Sequence, residues 1–179
     1  MSGGDQKLKF QKILEVFLAD REWQDELEVD AESKTVMLRT GINIASHTGG
    51  TLVIEASDIT EIVGVFVYLP FSCRESKIDE MKKLVNDINI RRNYGSFQCI
   101  PGGDAGRIRW VHRVDFEGAS PTSKSVHQIV GPGWETAAEW ADVIAAVAIT
   151  RQTADEALEE FDEEQRRRQE AEDGGPTEL

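Results

Sequence analysis

The sequence predicts an α+β fold, an antiparallel sheet with helices in the order α-βββ-α-ββ-α, and three observations lead there. First, Ile78, Met81, Val85 and Ile88 recur at spacings of three and four, one apolar stripe of a helix lying on a sheet, while Glu80, Lys82, Lys83 and Asp87 point elsewhere. Second, Ile108, Trp110, His112, Val114 and Phe116 alternate strictly with Arg107, Arg109, Val111, Arg113 and Asp115, the two-residue period of a half-buried strand. Third, three strand-like runs precede the helix, separated by turn residues.

Taken in order, Met1 to Asp5 reads as a disordered start. From Gln6 to about Arg21, Phe10, Ile13, Leu14 and Phe17 make the stripe of an amphipathic helix. Between Glu22 and Asp30, Trp23, Leu27 and Val29 hint at extended structure ahead of an Ala31-Glu32-Ser33 turn. The three strands are Thr35 to Ala45, Thr51 to Ala56 and Glu61 to Phe71, with Thr48-Gly49-Gly50-Thr51 and Ser57-Asp58 as the turns of a meander. Ile62 to Leu69 is apolar on both faces, which predicts a central strand, and Pro70 is expected to close it because proline cannot donate to a ladder. Ser76 with Asp79 fits a capping box that opens the central helix. Arg91 and Arg92 suit its negative C-terminal end, and Gly95 can take a left-handed conformation there.

A hairpin turning on Pro101 to Gly106 then leads into the alternating strand. After Pro121, Thr122 to Val130 reads as a short helix that Gly131-Pro132-Gly133 interrupts. Trp134 to Thr150 resumes it, with Ala137, Trp140, Ala141, Ile144, Val147 and Ala148 on one side. Thr153 with Glu156 starts another helix to about Glu172, whose last large apolar residues are Leu158 and Phe161, and Gly174-Gly175-Pro176 reads as disordered. The expected organisation is one domain over 6–150 and a charged helical extension with an acidic tail over 151–179.

A chain of 179 residues that is 40% apolar can bury a sizeable core, roughly 70% of its unfolded surface. Cys73 and Cys99 form no CxxC pair and have no His at zinc-finger spacing, so no metal site, cofactor or disulfide framework is expected, and reduced thiols in a cytoplasm are. No apolar run approaches the roughly 20 residues that span a bilayer, so no membrane is expected as a partner. Net charge is -13, and four Arg against eleven Asp or Glu from residue 151 onward place about half of it in the tail. That balance disfavours nucleic acid, because each phosphate contact needs a cation.

No catalytic constellation accompanies these elements. His47, His112 and His127 fall on a turn, on a strand's apolar face and near a helix, with no GxSxG elbow, and His112 reads as a core or interface histidine. Gly102 to Gly106 matches neither a Walker pattern nor GxGxxG and reads as a hairpin loop. Cys73, flanked by Arg74, would be reactive only if exposed. The distinctive feature is a basic edge: Arg107, Arg109 and Arg113 share the polar face of one strand, with Arg91 and Arg92 at the end of the preceding helix. Arginine forks take carboxylates in bidentate fashion, so this face fits an acidic partner segment or the chain's own acidic tail.

Val65-Phe66-Val67-Tyr68-Leu69-Pro70, a helix ending Leu84-Val85-Asn86-Asp87-Ile88-Asn89, Tyr94-Gly95-Ser96-Phe97, a Gly-Asp turn and a strand beginning Arg107-Ile108-Arg109-Trp110 together resemble the YbjN family, described as bacterial sensory transduction regulators. The likeness follows the order of elements from about Phe10 to Ala148, and in motif covers Val65 to Glu117. It implies a fold similar to type III secretion chaperones and a bacterial, cytoplasmic, dimeric, non-enzymatic protein, but brings no known functional residues. The function expected is protein binding, chaperone-like or regulatory, as a homodimer with an unidentified protein partner. On such a fold a partner would be captured along apolar helix faces and exposed strand edges, with Phe10, Phe17, Trp140 and Ile144, each of which also reads as plain core, as interface candidates beside Arg107, Arg109 and Arg113. The alternative is a small-ligand sensor with a pocket between central helix and sheet near Tyr68, Trp110 and the arginines.

Overall fold

A computed structural model describes residues 7–102 and 105–173. The expected disordered start, the Gly174-Gly175-Pro176 segment, and Gly103 and Asp104 of the hairpin turn lie outside the described residues. The elements are α1 (Lys9–Asp20), β1 (Leu27–Asp30), β2 (Thr35–Ile44), β3 (His47–Ser57), β4 (Ile62–Arg74), α2 (Ile78–Ile90), β5 (Ser96–Gly102), β6 (Ala105–Asp115), α3 (Ser123–Ile149) and α4 (Ala154–Asp173). The strands form one antiparallel sheet in the order β1-β2-β3-β4-β6-β5. The fold is α+β, and the extended hint before Asp30 is a real edge strand, β1.

One face of the sheet carries the main core. Phe10, Leu14 and Phe17 of α1, Met81, Leu84 and Ile88 of α2, and Ala137, Ala141 and Ile144 of α3 all bury against Val36, Ile54, Val65, Val67, Ile108 and Trp110. β4 is interior to the sheet, as its two-faced apolar run predicts. The helix termini are held by residues distant in sequence. Asp58, in the loop after β3, accepts from the Lys9 and Phe10 amides at 2.6 and 3.0 Å and so caps α1, which has no side-chain cap of its own. Asn89 of α2 behaves like a strand partner: it accepts from Phe97 N at 2.7 Å and donates to Phe97 O at 3.0 Å.

Four local expectations give way to packing. Thr48 to Thr51 is not a turn; it lies inside β3, and the chain reverses at Ala45-Ser46, with Ala45 at φ 51°. The glycines serve a bulge there, because a Cβ on Gly50 would stand 2.6 Å from Ile44 Cδ1. Pro70 does not end β4, which runs on to Arg74; the β4–β6 ladder slips between Tyr68 and Ser72, and the proline sits in that bulge. Ser76 is no cap: it lies in a 3-10 turn, Glu75–Lys77, and α2 has no side-chain cap hydrogen bond. Gly95 does take a positive φ of 63°, but beyond the C-cap at Arg91.

The fourth correction concerns α3, which passes unbroken through Gly131-Pro132-Gly133. Pro132 leaves the Gln128 carbonyl without its helical N–H, and the Tyr94 hydroxyl donates to that carbonyl at 3.4 Å. Gly133 lets Trp110 lie against the helix, since a Cβ there would fall 2.3 Å from the indole. Tertiary packing thus outweighs the local propensity to break.

Thr153 and Glu156 do form the expected capping box, with Thr153 N donating to Glu156 at 2.8 Å and Glu156 N to Thr153 Oγ1 at 3.3 Å. The start of α4 docks on α2: the Ala154 amide donates to Glu80 at 2.9 Å and Lys77 to the Gln152 carbonyl at 2.8 Å. Ala154, Ala157 and Leu158 join the core, and Phe161 stacks near Trp140 with centroids 4.3 Å apart.

The two glycines of α3 should respond differently to alanine. Gly133→Ala should destabilise by about 1–3 kcal/mol in urea denaturation, because overpacking against Trp110 outweighs the roughly 1 kcal/mol that alanine ordinarily gains in a helix. Gly131→Ala, with open space at its Cβ but the Pro132 ring following, should be near neutral in the same measurement.

Candidate binding face

All of the large helices described lie on one side of the sheet, and the pleat directs alternate residues to the other. The β6 register that buries Ile108 and Trp110 with the core therefore sends Arg107, Arg109 and Arg113 outward. Opposite them on β4 are Ser72, Tyr68 and Gly64, paired in the ladder with Arg107, Arg109 and Arg113 respectively. Arg39 of β2 pairs with Val53 of β3, which in turn pairs with Phe66 of β4.

This outer face has a small core of its own. Phe66, Val53 and Val111 are 4%, 5% and 7% exposed although no helix covers them, with Met37 and Tyr68 packed alongside. Arginine stems supply the cover. The Arg109 guanidinium lies 4.8 Å from the Phe66 ring centre and that of Arg113 5.5 Å, contacts worth about 0.5–1 kcal/mol each at such sites. Gly64 makes the arrangement possible, because a Cβ there would meet the Phe66 ring at 3.0 Å and Arg113 Cγ at 3.6 Å.

Arg109 is held in place. Its Nε and Nη2 donate to Gln98 Oε1 at 3.0 and 2.9 Å, and Nη1 donates to Tyr68 Oη at 2.9 Å. Among the described residues no carboxylate lies within 4.0 Å of Arg39, Arg107, Arg109 or Arg113. In a chain with 33 Asp and Glu against 20 Lys and Arg, that is the outstanding electrostatic feature.

The sequence's basic edge is accordingly two features. Arg91 and Arg92 belong to the helical side: Arg91 pairs with Asp162 of α4 at 2.6 Å, and Arg92 with Glu139 of α3 while donating to Thr136 at 2.8 Å. Among the described residues the fold-back onto the acidic extension is thus made by Arg91 and not by the strand arginines. Phe10, Phe17 and Ile144 are fully buried and Trp140, against Phe161 of α4, is 3% exposed, so all four are core side chains. Tyr68 and Trp110 lie on opposite faces of the sheet, so the pocket drawn between central helix and sheet near both does not form.

A cleft of about 280 Å³ opens instead on the outer face beside the β4 bulge, lined by Arg39, Thr51, Tyr68, Pro70, Ser72 and Arg107 among others. Arg39, Thr51 and Ser72 were not singled out in the sequence. Arg39 shares the outward parity of Met37 and Gly41 within an alternating strand, and that was the available signal.

The remaining chemical groups are structural. His112 packs on Tyr94, with ring centroids 4.0 Å apart, and burial pushes its pKa below the usual histidine value. His47 meets Asp142 at 2.7 Å and His127 meets Asp20 at 3.5 Å, with no nucleophile in either pair. Among the described residues no group of three or more His, Cys, Asp or Glu is placed to hold a metal ion, and no helix is long and apolar enough to cross a membrane. Comparison with protein-family models, with curated proteins and with solved structures finds no match to this chain.

Cys73 is buried, and desolvation, reinforced by the nearby Cys99, pushes its thiol up to about 11; burial also raises Cys99. At pH 8 neither thiol should be alkylated by iodoacetamide at the rate of a free cysteine, and both should react once urea unfolds the chain. Rapid labelling of Cys73 in the native protein would show that this region opens.

Proposed function

We propose that this chain is a non-enzymatic protein-binding domain, chaperone-like or regulatory, which uses the arginine-covered outer face of its sheet to hold an acidic amphipathic helix of a partner protein. One observation carries the reading: four arginines without described carboxylate partners stand over an apolar patch of Phe66, Tyr68 and Val53, on the sheet face that the chain's own helices leave open. A helix laid there would cover this face as α1 and α3 cover the other, its apolar stripe on Phe66 and Tyr68 and its carboxylates on the guanidinium forks. Charge complementarity selects the occupant, because the rest of the chain is strongly acidic and repels acidic ligands elsewhere. The likeness to the YbjN family and to type III secretion chaperones supports a bacterial, cytoplasmic dimer acting in this way.

A second reading, a small-ligand sensor domain in signal transduction, is favoured by the cleft beside the bulge.

The test is fluorescence anisotropy with two labelled helical peptides that share a Leu/Phe stripe, one bearing Glu on the polar face and the other Lys. The Glu peptide should bind, more weakly as salt rises, and Arg107/Arg109/Arg113→Ala should weaken it by about tenfold or more, corresponding to roughly 1.4 kcal/mol. Thermal unfolding of the variant checks that it folds, and light scattering on the same samples reports the dimer. Equal binding of both peptides, or unchanged binding by a folded triple variant, would overturn the reading.

A further inference from the structure

We propose that the cleft beside the β4 bulge is an oxyanion site that takes a dianionic phosphate monoester. The proposal rests on the outer face being the recognition surface, and it names the chemistry of one subsite within it.

The cleft is bounded by Arg39 from β2 and by Arg107 from β6, which reach it from strands on either side of the β3–β4 pair. Thr51, Tyr68 and Ser72 add three hydroxyls to its lining. Among the described residues the side chains of Arg39, Arg107, Thr51 and Ser72 make no hydrogen bond or ion pair, so no described group takes up their donors. The Tyr68 hydroxyl accepts from Arg109, which leaves its own proton free to donate. Arg107 lies 5.8 Å from the Tyr68 ring centre, a contact that keeps the guanidinium beside the cleft.

Among the described residues no Asp or Glu lines this cleft. The contrast with the helical side is sharp: the cleft between α3 and α4 is lined by Glu139, Asp142, Glu160 and Glu164, and its neighbour by Asp87, Asp155, Glu159 and Asp162. The cleft along α2 and β5 also lacks a described Asp or Glu but has Lys82 as its one cation, whereas the cleft beside the bulge has two guanidinium groups.

The bulge supplies the concavity. Tyr68 pairs with Arg109 and Ser72 with Arg107, so two residues more are accommodated on β4 than on β6, and the chain at Leu69-Pro70-Phe71 swings out of the ladder. Because two extra residues leave the alternation unchanged, Ser72 opposite Arg107 stays on the same face as Tyr68 opposite Arg109. Two cationic forks and three hydroxyls match the several acceptor oxygens and double charge of a phosphate monoester better than a single carboxylate, which one fork satisfies.

The experiment is titration of the isotopically labelled full chain with inorganic phosphate and with N-acetyl-O-phosphoserine amide, followed by amide chemical shifts at constant ionic strength. Saturable shifts should concentrate at Thr51, Tyr68, Ser72 and Arg107. Arg39→Gln and Arg107→Gln should each weaken binding about tenfold, with native spectra elsewhere. Affinity should fall as pH drops below about 6, where the second phosphate proton returns, and succinate should bind far more weakly than phosphate throughout. Tighter binding of the phosphoserine probe assigns the source to a phosphorylated protein side chain, and equal binding assigns it to a free phosphate ester; either supports the site. Absent or unsaturable shifts, phosphate binding unchanged from wild type in either variant, or succinate binding as well as phosphate would overturn it. If the Glu peptide still binds while phosphate does not, this inference alone fails. Phosphate binding without peptide binding would instead remove the helix-docking reading and leave the oxyanion site.

Discussion

Trp110 lies flat between two glycines, and the placement of most other groups follows from it. A Cβ at Gly95 would stand 2.2 Å from the indole, and one at Gly133 2.3 Å, so the ring is clamped between the loop after α2 and the middle of α3. It is fully buried. A one-residue slip of β6 would turn this side chain to solvent, which locks the register. The same register puts Ile108 into the core and Arg107, Arg109 and Arg113 on the opposite face. The indole Nε1 has no hydrogen-bond partner in this packing, a cost that the surrounding apolar contacts must exceed.

Because β6 is fixed in this way, the sheet becomes strongly two-sided. Its inner face is filled by α1, α2 and α3, and its outer face keeps only a thin apolar layer under arginine stems. Sheets with one solvated face are ordinary among antiparallel folds. The charges are less ordinary: the clefts against α4 are lined largely by carboxylates, while the open sheet face carries Arg39, Arg107, Arg109 and Arg113 without described carboxylate partners, beside the outward Glu55 and Asp115. The proposed recognition of an anionic group rests on those four arginines.

The helices are tied to the sheet mainly through long-range contacts. Asp58 caps α1 from 49 residues away, Asn89 bonds β5 to α2, and Glu80 accepts the first amide of α4. The Tyr94 hydroxyl meets the carbonyl that Pro132 leaves free, and so lets α3 run unbroken beneath the sheet. Each of these replaces a local device that a single-residue reading would look for, such as a Ser76 cap or a helix end at proline.

The period of the apolar residues was enough, from sequence alone, to place the central helix, the alternating strand, the two-faced central strand and the α+β class, because burial on one face imposes a spacing that is visible in one dimension. Capping at Thr153 and Glu156 was legible for the same reason, since its partners are three residues apart. The outward set Arg107, Arg109 and Arg113 was legible too, but not Arg39, which joins it only through the β2–β3–β4 ladder. Tertiary structure decided the rest. It turned Gly49-Gly50 and Pro70 from stops into bulges, kept α3 whole, took Phe10, Phe17, Trp140 and Ile144 into the core, and parted Tyr68 from Trp110 across the sheet. The physical reason is common to all of these: a glycine, a proline or a large apolar residue has several local solutions of similar energy, and the choice among them is made by atoms that the chain brings close only on folding.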